Sequence, residues 1–199
     1  MISKLNFRVL CASILSVTAL FCVNNTYANN DVAWQKLAEG GKVVLMRHAA
    51  VVAGQENGSL MLRDPSCKEE RNLSAEGQNV ARTIGKMFQD RKIQIAEVRH
   101  SPFCRTSDTA KIAFGGGTPV EYLYVLELRG PEEAAAQTKK LNQIIGSYAG
   151  KGNLVLITHE PNINAVSFEL LKQSDFLVLQ PAGGDKFEEI GVVRWEASN

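Results

Sequence analysis

Two short apolar runs in this chain each end in a histidine. Val43-Val44-Leu45-Met46 runs into Arg47-His48-Ala49, and Leu154-Val155-Leu156-Ile157-Thr158 runs into His159. A continuous apolar run bounded by a turn signal, such as Gly40-Gly41 ahead of Val43, reads as a strand buried on both faces. Neighbouring residues in a strand point to opposite faces, so Arg47 and His48 can share one pocket only if the strand ends there and the chain turns. In open α/β sheets the ligand crevice lies at the carboxyl ends of the strands. A charged arginine at the end of a buried strand needs a partner; a carboxylate would serve, and so would a bound phosphate.

Between and around these runs, strand and helix signals alternate. A helix carrying Trp34 and Leu37, capped by Asp31, precedes Val43. From about Ala49 to Asn72 neither period is present. Loops longer than about 12–15 residues are usually functional or disordered, and this one leaves the strand end, so it is expected to wall the site. Its charged residues Arg63, Asp64, Lys68, Glu69, Glu70 and Arg71 read as a solvated surface. Ser74 caps a helix with Val80, Ile84, Met87 and Phe88 on one face. A second strand approaches from Ile93 to Val98 and ends at Ser101-Pro102. Cys104-Arg105-Thr106 opens a helix to Phe114, stopped by Gly115-Gly116-Gly117, which lacks the Lys-Ser or Lys-Thr of a nucleotide loop. Val120 to Leu126 reads as a third strand, Pro131 to about Tyr148 as a helix, and Leu154–Thr158 as a fourth strand. Pro161 starts a helix with Ile163, Val166, Leu170 and Leu171 inward, and strands at Phe176–Leu179 and Ile190–Trp195 close the chain. The expectation is an α/β, three-layer sandwich with a largely parallel central sheet flanked by helices.

The first 28 residues have another character. Lys4 and Arg8 precede an apolar run from Val9 to Val23, and Thr26-Tyr27-Ala28 offers small residues where a signal peptidase cuts. This pattern is that of a secretory signal peptide. The run falls short of the roughly 20 apolar residues of a membrane span, so no stable membrane insertion is expected after its removal. A lipoprotein reading through Cys22 is disfavoured by Phe21 before it. Residues 29–199 would form one domain outside the cytoplasm, periplasmic or secreted. Loss of Lys4 and Arg8 leaves 20 basic residues of 22 against 21 acidic ones, moving the formal charge from +1 to −1. A near-neutral chain gives no electrostatic case for nucleic acid. Cys67 and Cys104 remain; an even count in an exported protein permits one disulfide, and two cysteines can also be buried small hydrophobes. The pattern leaves the oligomeric state open.

Parallel strands would bring Arg47, His48, Arg105 and His159 to one edge of the sheet. The helix start at Cys104 adds unpaired amides and a favourable dipole for an anion. With three histidines and no Cys/His/Asp cluster at ligand spacing, no metal and no cofactor are expected. His100, within a strand end, reads as a packed or exposed histidine.

Val-Val-Leu-Met-Arg-His-Ala, Leu73-Ser74-Ala75-Glu76-Gly77, Ser101-Pro102-Phe103-Cys104-Arg105-Thr106 with Asp108-Thr109-Ala110, and Ile157-Thr158-His159 together resemble the histidine phosphatase (phosphoglycerate mutase-like) superfamily. The four motifs occur in that family's order and span essentially all of residues 29–199. Ala49 stands where the family usually has glycine. The likeness is to short, exported phosphatase-like members rather than to mutases with their longer insertions. It implies a metal-independent phosphatase acting on a small phosphorylated substrate, with His48 as the nucleophile that becomes phosphorylated. Arg47, Arg105 and His159 would bind the phosphoryl oxygens. Glu127 matches the place of the general acid, against a plain reading as a surface glutamate paired with Arg129. Asp64 and Glu160 are the other candidates for that role. A phosphomutase, or a non-catalytic phosphate- or phosphosugar-binding protein on the same fold, are the alternatives.

Overall fold

A computed structural model describes residues 30–198; the expected signal peptide, 1–28, lies outside them. Six strands form one sheet: β1 (Val43–Arg47), β2 (Ile95–His100), β3 (Thr118–Pro119), β4 (Asn153–Thr158), β5 (Phe176–Pro181) and β6 (Phe187–Val193), in the order β3-β2-β4-β1-β5-β6. The β3-β2-β4-β1 half is parallel, and β5 runs antiparallel to both β1 and β6.

The apolar runs divide by the two-residue period of a strand. Val44, Met46, Val155, Ile157, Phe176 and Val178 face one side. There they meet Trp34 and Leu37 of the helix over residues 30–39 (α1), and the apolar faces of α2 (Ala75–Asp90) and α3 (Cys104–Phe114). Val43, Leu45, Leu154, Leu156, Leu177 and Leu179 face the other, against Leu141 and Ile145 of α4 (Pro131–Gly146) and Ile163 of α5 (Glu160–Asn164). Helices thus cover both faces, which is the three-layer α/β sandwich expected. Burial on both faces is also why β1 and β4 lack polar alternation.

Several local signals act as expected. Ser74 Oγ accepts the Gly77 N–H at 2.9 Å and caps α2. Pro131 sits in the first turn of α4. Gly115 closes α3 in the left-handed region at φ 82°, where a side chain would be strained. Asp31 lies in the body of α1 rather than at a cap.

Three expectations need correction. Val120–Leu126 is not a strand: β3 ends at Pro119, and residues Glu121–Leu123 and Leu126–Leu128 form 3-10 turns. Pro119 has no N–H for the ladder, and after the Val120 N–H bonds His100 O the segment wraps over the end of β4. Leu123 is apolar because it is a peg in the core, 0% exposed, and Val125, 2% exposed, lines a cleft at the sheet edge. The helix from Pro161 is only one turn long, with Ile163 and Leu171 buried while Leu170 is 72% exposed. Beyond it the chain is drawn back to β1, where Arg47 Nη1 donates to Leu171 O and the Ser174 N–H bonds the Arg47 and His48 carbonyls. The last strand is Phe187–Val193, and Trp195 falls in a following 3-10 turn.

Gly77 shows how tightly the chain after β1 is held. A Cβ there would come within 2.0 Å of Ala50 O and 2.8 Å of the Ala50 carbonyl carbon, both backbone. Alanine ordinarily favours a helix by about 1 kcal/mol over glycine, but overpacking costs about 1–3 kcal/mol. The clash is with backbone, so we expect the overpacking to prevail and Gly77→Ala to lower the Tm by up to about 8 °C; an unchanged or raised Tm would show that the Ala50 segment yields freely.

Candidate active site

The parallel register sets Arg47 opposite Thr158, so His48 and His159 leave the sheet side by side. The His48 N–H extends that ladder one step to Thr158 O at 3.1 Å. The two imidazoles lie with centroids 5.5 Å apart, edge to face. Arg105, in the first turn of α3, joins them: its Nη2 donates to His159 Nδ1 at 3.1 Å and to Leu60 O at 3.0 Å. Arg47, His48, Arg105 and His159 therefore converge, as the sequence predicts, on one cleft of about 370 Å³.

Hydrogen bonding fixes each histidine. His48 Nδ1 lies 2.8 Å from Ala49 O. A carbonyl only accepts, so Nδ1 carries the proton and Nε2 keeps its lone pair. Burial, then the charge of Arg105, lowers the His48 pKa to about 3, with the Ala49 carbonyl acting in the opposite direction. His159 Nδ1 accepts from Arg105, so its Nε2–H faces Ser101 Oγ at 2.8 Å. Burial, then Arg105, also holds its pKa well below the usual value. Both rings are neutral at pH 7. Ser101, fully buried beside His159, has no functional role in the sequence reading; its signal there is its place at the head of the Ser101–Thr106 motif.

The guanidinium groups are incompletely satisfied. Arg105 is 3% exposed, and among the described residues its buried Nε and Nη1 have no hydrogen-bond partner, nor has Nε of Arg47. Burial pulls the Arg105 pKa down to about 10, which leaves it charged at neutral pH. Arg47 is better partnered, through Leu171 O at 2.7 Å and Glu160 Oε2 at 2.8 Å. A buried N–H without an acceptor costs free energy, and an oxyanion in the cleft would relieve it.

The carboxylates separate clearly. Glu127 lines the cleft from its 3-10 turn. It is not the partner of Arg129, which pairs with Glu121 at 2.9 Å and Glu133 at 4.0 Å. Glu160 lines the rim but is bound to Arg47. Asp64 does not line the cleft; it accepts from Ser66 and the Glu69 N–H, and these bonds lower its pKa to about 2. A carboxyl that readily ionised is poorly suited to give a proton. Glu70, expected on a solvated surface, is 1% exposed. Its Oε1 accepts from Arg63 Nη1 and the Asp64 N–H, and its Oε2 accepts the Cys104 N–H at 2.7 Å. The start of α3 is thus taken by Glu70 and is not an open anion site, contrary to the sequence expectation. His100 is a packed histidine, bonded through Nδ1 to Ser101 O.

Cys67 and Cys104 are disulfide-bonded, with Cα atoms 5.9 Å apart. The bridge, Glu70 and the Leu60–Arg105 bond together fasten the 49–72 loop to α3. Among the described residues, no cluster of three or more His, Cys, Asp or Glu side chains could hold a metal ion.

No protein-family model matches the chain, and no curated protein matches its sequence. Solved structures do match. The protein histidine phosphatase SixA complexed with tungstate aligns with TM-score 0.58 at 15% identity, over 79% of this chain and 99% of that one. A phosphoglycerate mutase from Bacillus anthracis str. Sterne gives TM-score 0.59 at 13% identity, over 80% and 96%. The mycobacterial glucosyl-3-phosphoglycerate phosphatase Rv2419c gives 0.52 at 13%, over 74% and 96%. The chain shares its fold with these phosphatase and mutase structures.

Two predictions follow from this geometry. Between the usual histidine pKa near 6.5 and the folded value of about 3, unfolded His48 binds a proton that the folded protein refuses. Stability present above pH 6.5 is therefore lost as pH falls, by about 1.4 kcal/mol per pH unit for one such group. The fall in stability from pH 7 to 4.5, measured by denaturant titration, should be shallower in His48→Gln; equal slopes would mean that His48 is accessible to protons when folded. Replacing both bridging cysteines by serine should cost about 3–4 kcal/mol through loop closure, with weaker oxyanion binding as the wall loosens. Two free thiols in oxidised protein by mass spectrometry would remove the bridge altogether.

Proposed function

We propose that this chain is a metal-independent phosphatase that hydrolyses phosphomonoesters through a phosphohistidine on His48, outside the cytoplasm. The observation that carries the reading is the buried, charged Arg105 with Nε and Nη1 unpartnered beside a histidine whose Nε2 lone pair is free. The phosphoryl group supplies the oxygens those N–H groups lack, and arginine binds them in a planar fork. The SixA structure similar in fold was solved complexed with tungstate, a tetrahedral oxyanion, which supports phosphoryl chemistry on this fold.

His48 Nε2 attacks phosphorus, the bond to the leaving oxygen breaks, and that oxygen takes a proton from Glu127. Water then attacks the phosphohistidine, giving its proton to the Glu127 carboxylate as the P–N bond breaks and Nε2 regains its lone pair. Arg105 and Arg47 neutralise the charge on the equatorial oxygens, which is the main demand of phosphoryl transfer. His159 has both ring nitrogens engaged, Nδ1 on Arg105 and Nε2–H on Ser101, so in place of the phosphoryl-binding role that the resemblance implies it orients Arg105 and adds no competing charge. Low histidine pKa values mean the nucleophile needs no deprotonation at neutral or mildly acidic pH. The apolar segment after Arg8 and the Cys67–Cys104 bridge support an oxidising compartment, where disulfides persist.

Purified protein should hydrolyse p-nitrophenyl phosphate in the presence of EDTA, and His48→Ala should reduce this to background. Glu127→Gln should slow alkyl phosphates by about 10²–10⁴ and barely affect p-nitrophenyl phosphate, whose leaving group is stable as an anion. Equal losses on both substrates would give Glu127 another task, and no loss on either would pass the acid role to Glu160. Binding of phosphate without turnover in the unmodified protein would favour a non-catalytic phosphate-binding protein.

A further inference from the structure

Outside the arginine–histidine cage, the cleft has a distinct chemical character. Val51, Leu60, Met61, Val125 and Pro161 line it with apolar surface. The polar groups there are the carboxylates Glu127 and Glu160 and the amides of Asn164 and Gln173. Among the described residues, the only lysine or arginine side chains lining the cleft are Arg47 and Arg105.

The apolar wall is held toward solvent by its backbone. Leu60, Met61 and Leu62 are consecutive and 37%, 42% and 51% exposed. Ser59 Oγ accepts the Met61 and Leu62 N–H groups at 3.1 and 3.0 Å, the Ser59 N–H bonds Glu69 O at 2.8 Å, and Leu60 O is held by Arg105. Both ends of this turn are fixed, so the side chains cannot fold back into the core. Single exposed apolar residues are ordinary on a protein surface. Three in succession, presented beside a cleft by a pinned turn, mark a surface that meets an apolar ligand.

We propose that the leaving group of the substrate is apolar and carries no second negative charge; this rests on the phosphate-binding reading of the same site. The phosphoryl oxygens take the two guanidinium groups, and the organic part lies against Leu60 and Met61. A carboxylate or second phosphate on the organic part would meet Glu127, and Glu160 that Arg47 already holds, with no further cation lining the cleft to receive it, and like charges at short range repel. Phosphoglycerate-like acids and bisphosphates are disfavoured on the same ground. An alkyl or aryl monophosphate, with or without a cationic end, fits.

The test uses calorimetric binding of non-hydrolysable phosphonates to the mature protein at neutral pH, so it does not depend on turnover. Ethylphosphonate and hexylphosphonate differ only in four methylenes, each worth about two- to threefold in affinity when laid on an apolar wall. Hexylphosphonate should bind about 15- to 80-fold more tightly than ethylphosphonate. A chain of the same length ending in carboxylate should bind at least about tenfold more weakly than hexylphosphonate, whereas one ending in an ammonium should not. Met61→Ser should reduce the hexyl-to-ethyl ratio, and Met61→Lys should narrow the gap between the carboxylate-ended and methyl-ended chains. Affinity independent of chain length, or a carboxylate-ended chain that binds as well as hexylphosphonate, would overturn the proposal and leave the phosphate site intact. If neither ethylphosphonate nor inorganic phosphate binds, the phosphate-site reading fails and this inference fails with it.

Discussion

The site depends on the register between β1 and β4. Both strands are buried on both faces, so their pairing is fixed by packing: Val44 and Met46 on one side, Val43 and Leu45 on the other. A slip of one residue would exchange these two sets and place every side chain against the wrong helices. The same register sets Arg47 against Thr158 and lets the His48 N–H reach Thr158 O, which puts His48 and His159 at one edge. The polar residues that converge on the cleft are thus positioned by apolar residues that never reach it.

Charge in the cleft is arranged around that geometry. Two guanidinium groups stand beside two neutral imidazoles, and burial keeps the imidazoles neutral more than any single neighbour does. The arginines are not equivalent. Arg47 already has Glu160 and the Leu171 carbonyl, whereas Arg105 retains two N–H groups with no acceptor. Arg105 would therefore gain more than Arg47 from an oxyanion in the cleft, since at Arg47 such a group would compete with Glu160. Glu70, buried below α3, opposes the loss of charge on Arg105 that burial favours.

Much of this was legible in the sequence, for identifiable reasons. Buried strands announce themselves as unbroken apolar runs, Ser74 and Pro131 mark helix starts, and Gly115 marks an end. The four converging residues follow from parallel strands ending at one edge. What could not be read depends on contacts distant in sequence. Leu123 and Val125 have the composition of a strand, but Leu123 is a peg against β4, Val125 lines the cleft, and Pro119 cuts the ladder short. The helix after Pro161 stops because Leu171 and Ser174 are claimed by β1, more than a hundred residues earlier. Glu70 looked like one charge among several in a polar loop, yet its partner is an amide 34 residues away. That amide opens α3, so the helix start that seemed free for a ligand was already capped by the protein.

The loop and the cage are one mechanical unit. The disulfide, the Glu70 carboxylate and the Leu60–Arg105 bond all join the 49–72 loop to the first turn of α3. Each acts through backbone or through a residue set back from the substrate. Leu60 makes the consequence plain: its carbonyl positions Arg105 while its side chain faces the cleft. Exchanging that side chain alters what the organic part of a substrate meets, but leaves the carbonyl and hence the guanidinium in place. In Leu60 the lining of the cleft and the placement of the guanidinium thus rest on different atoms of one residue.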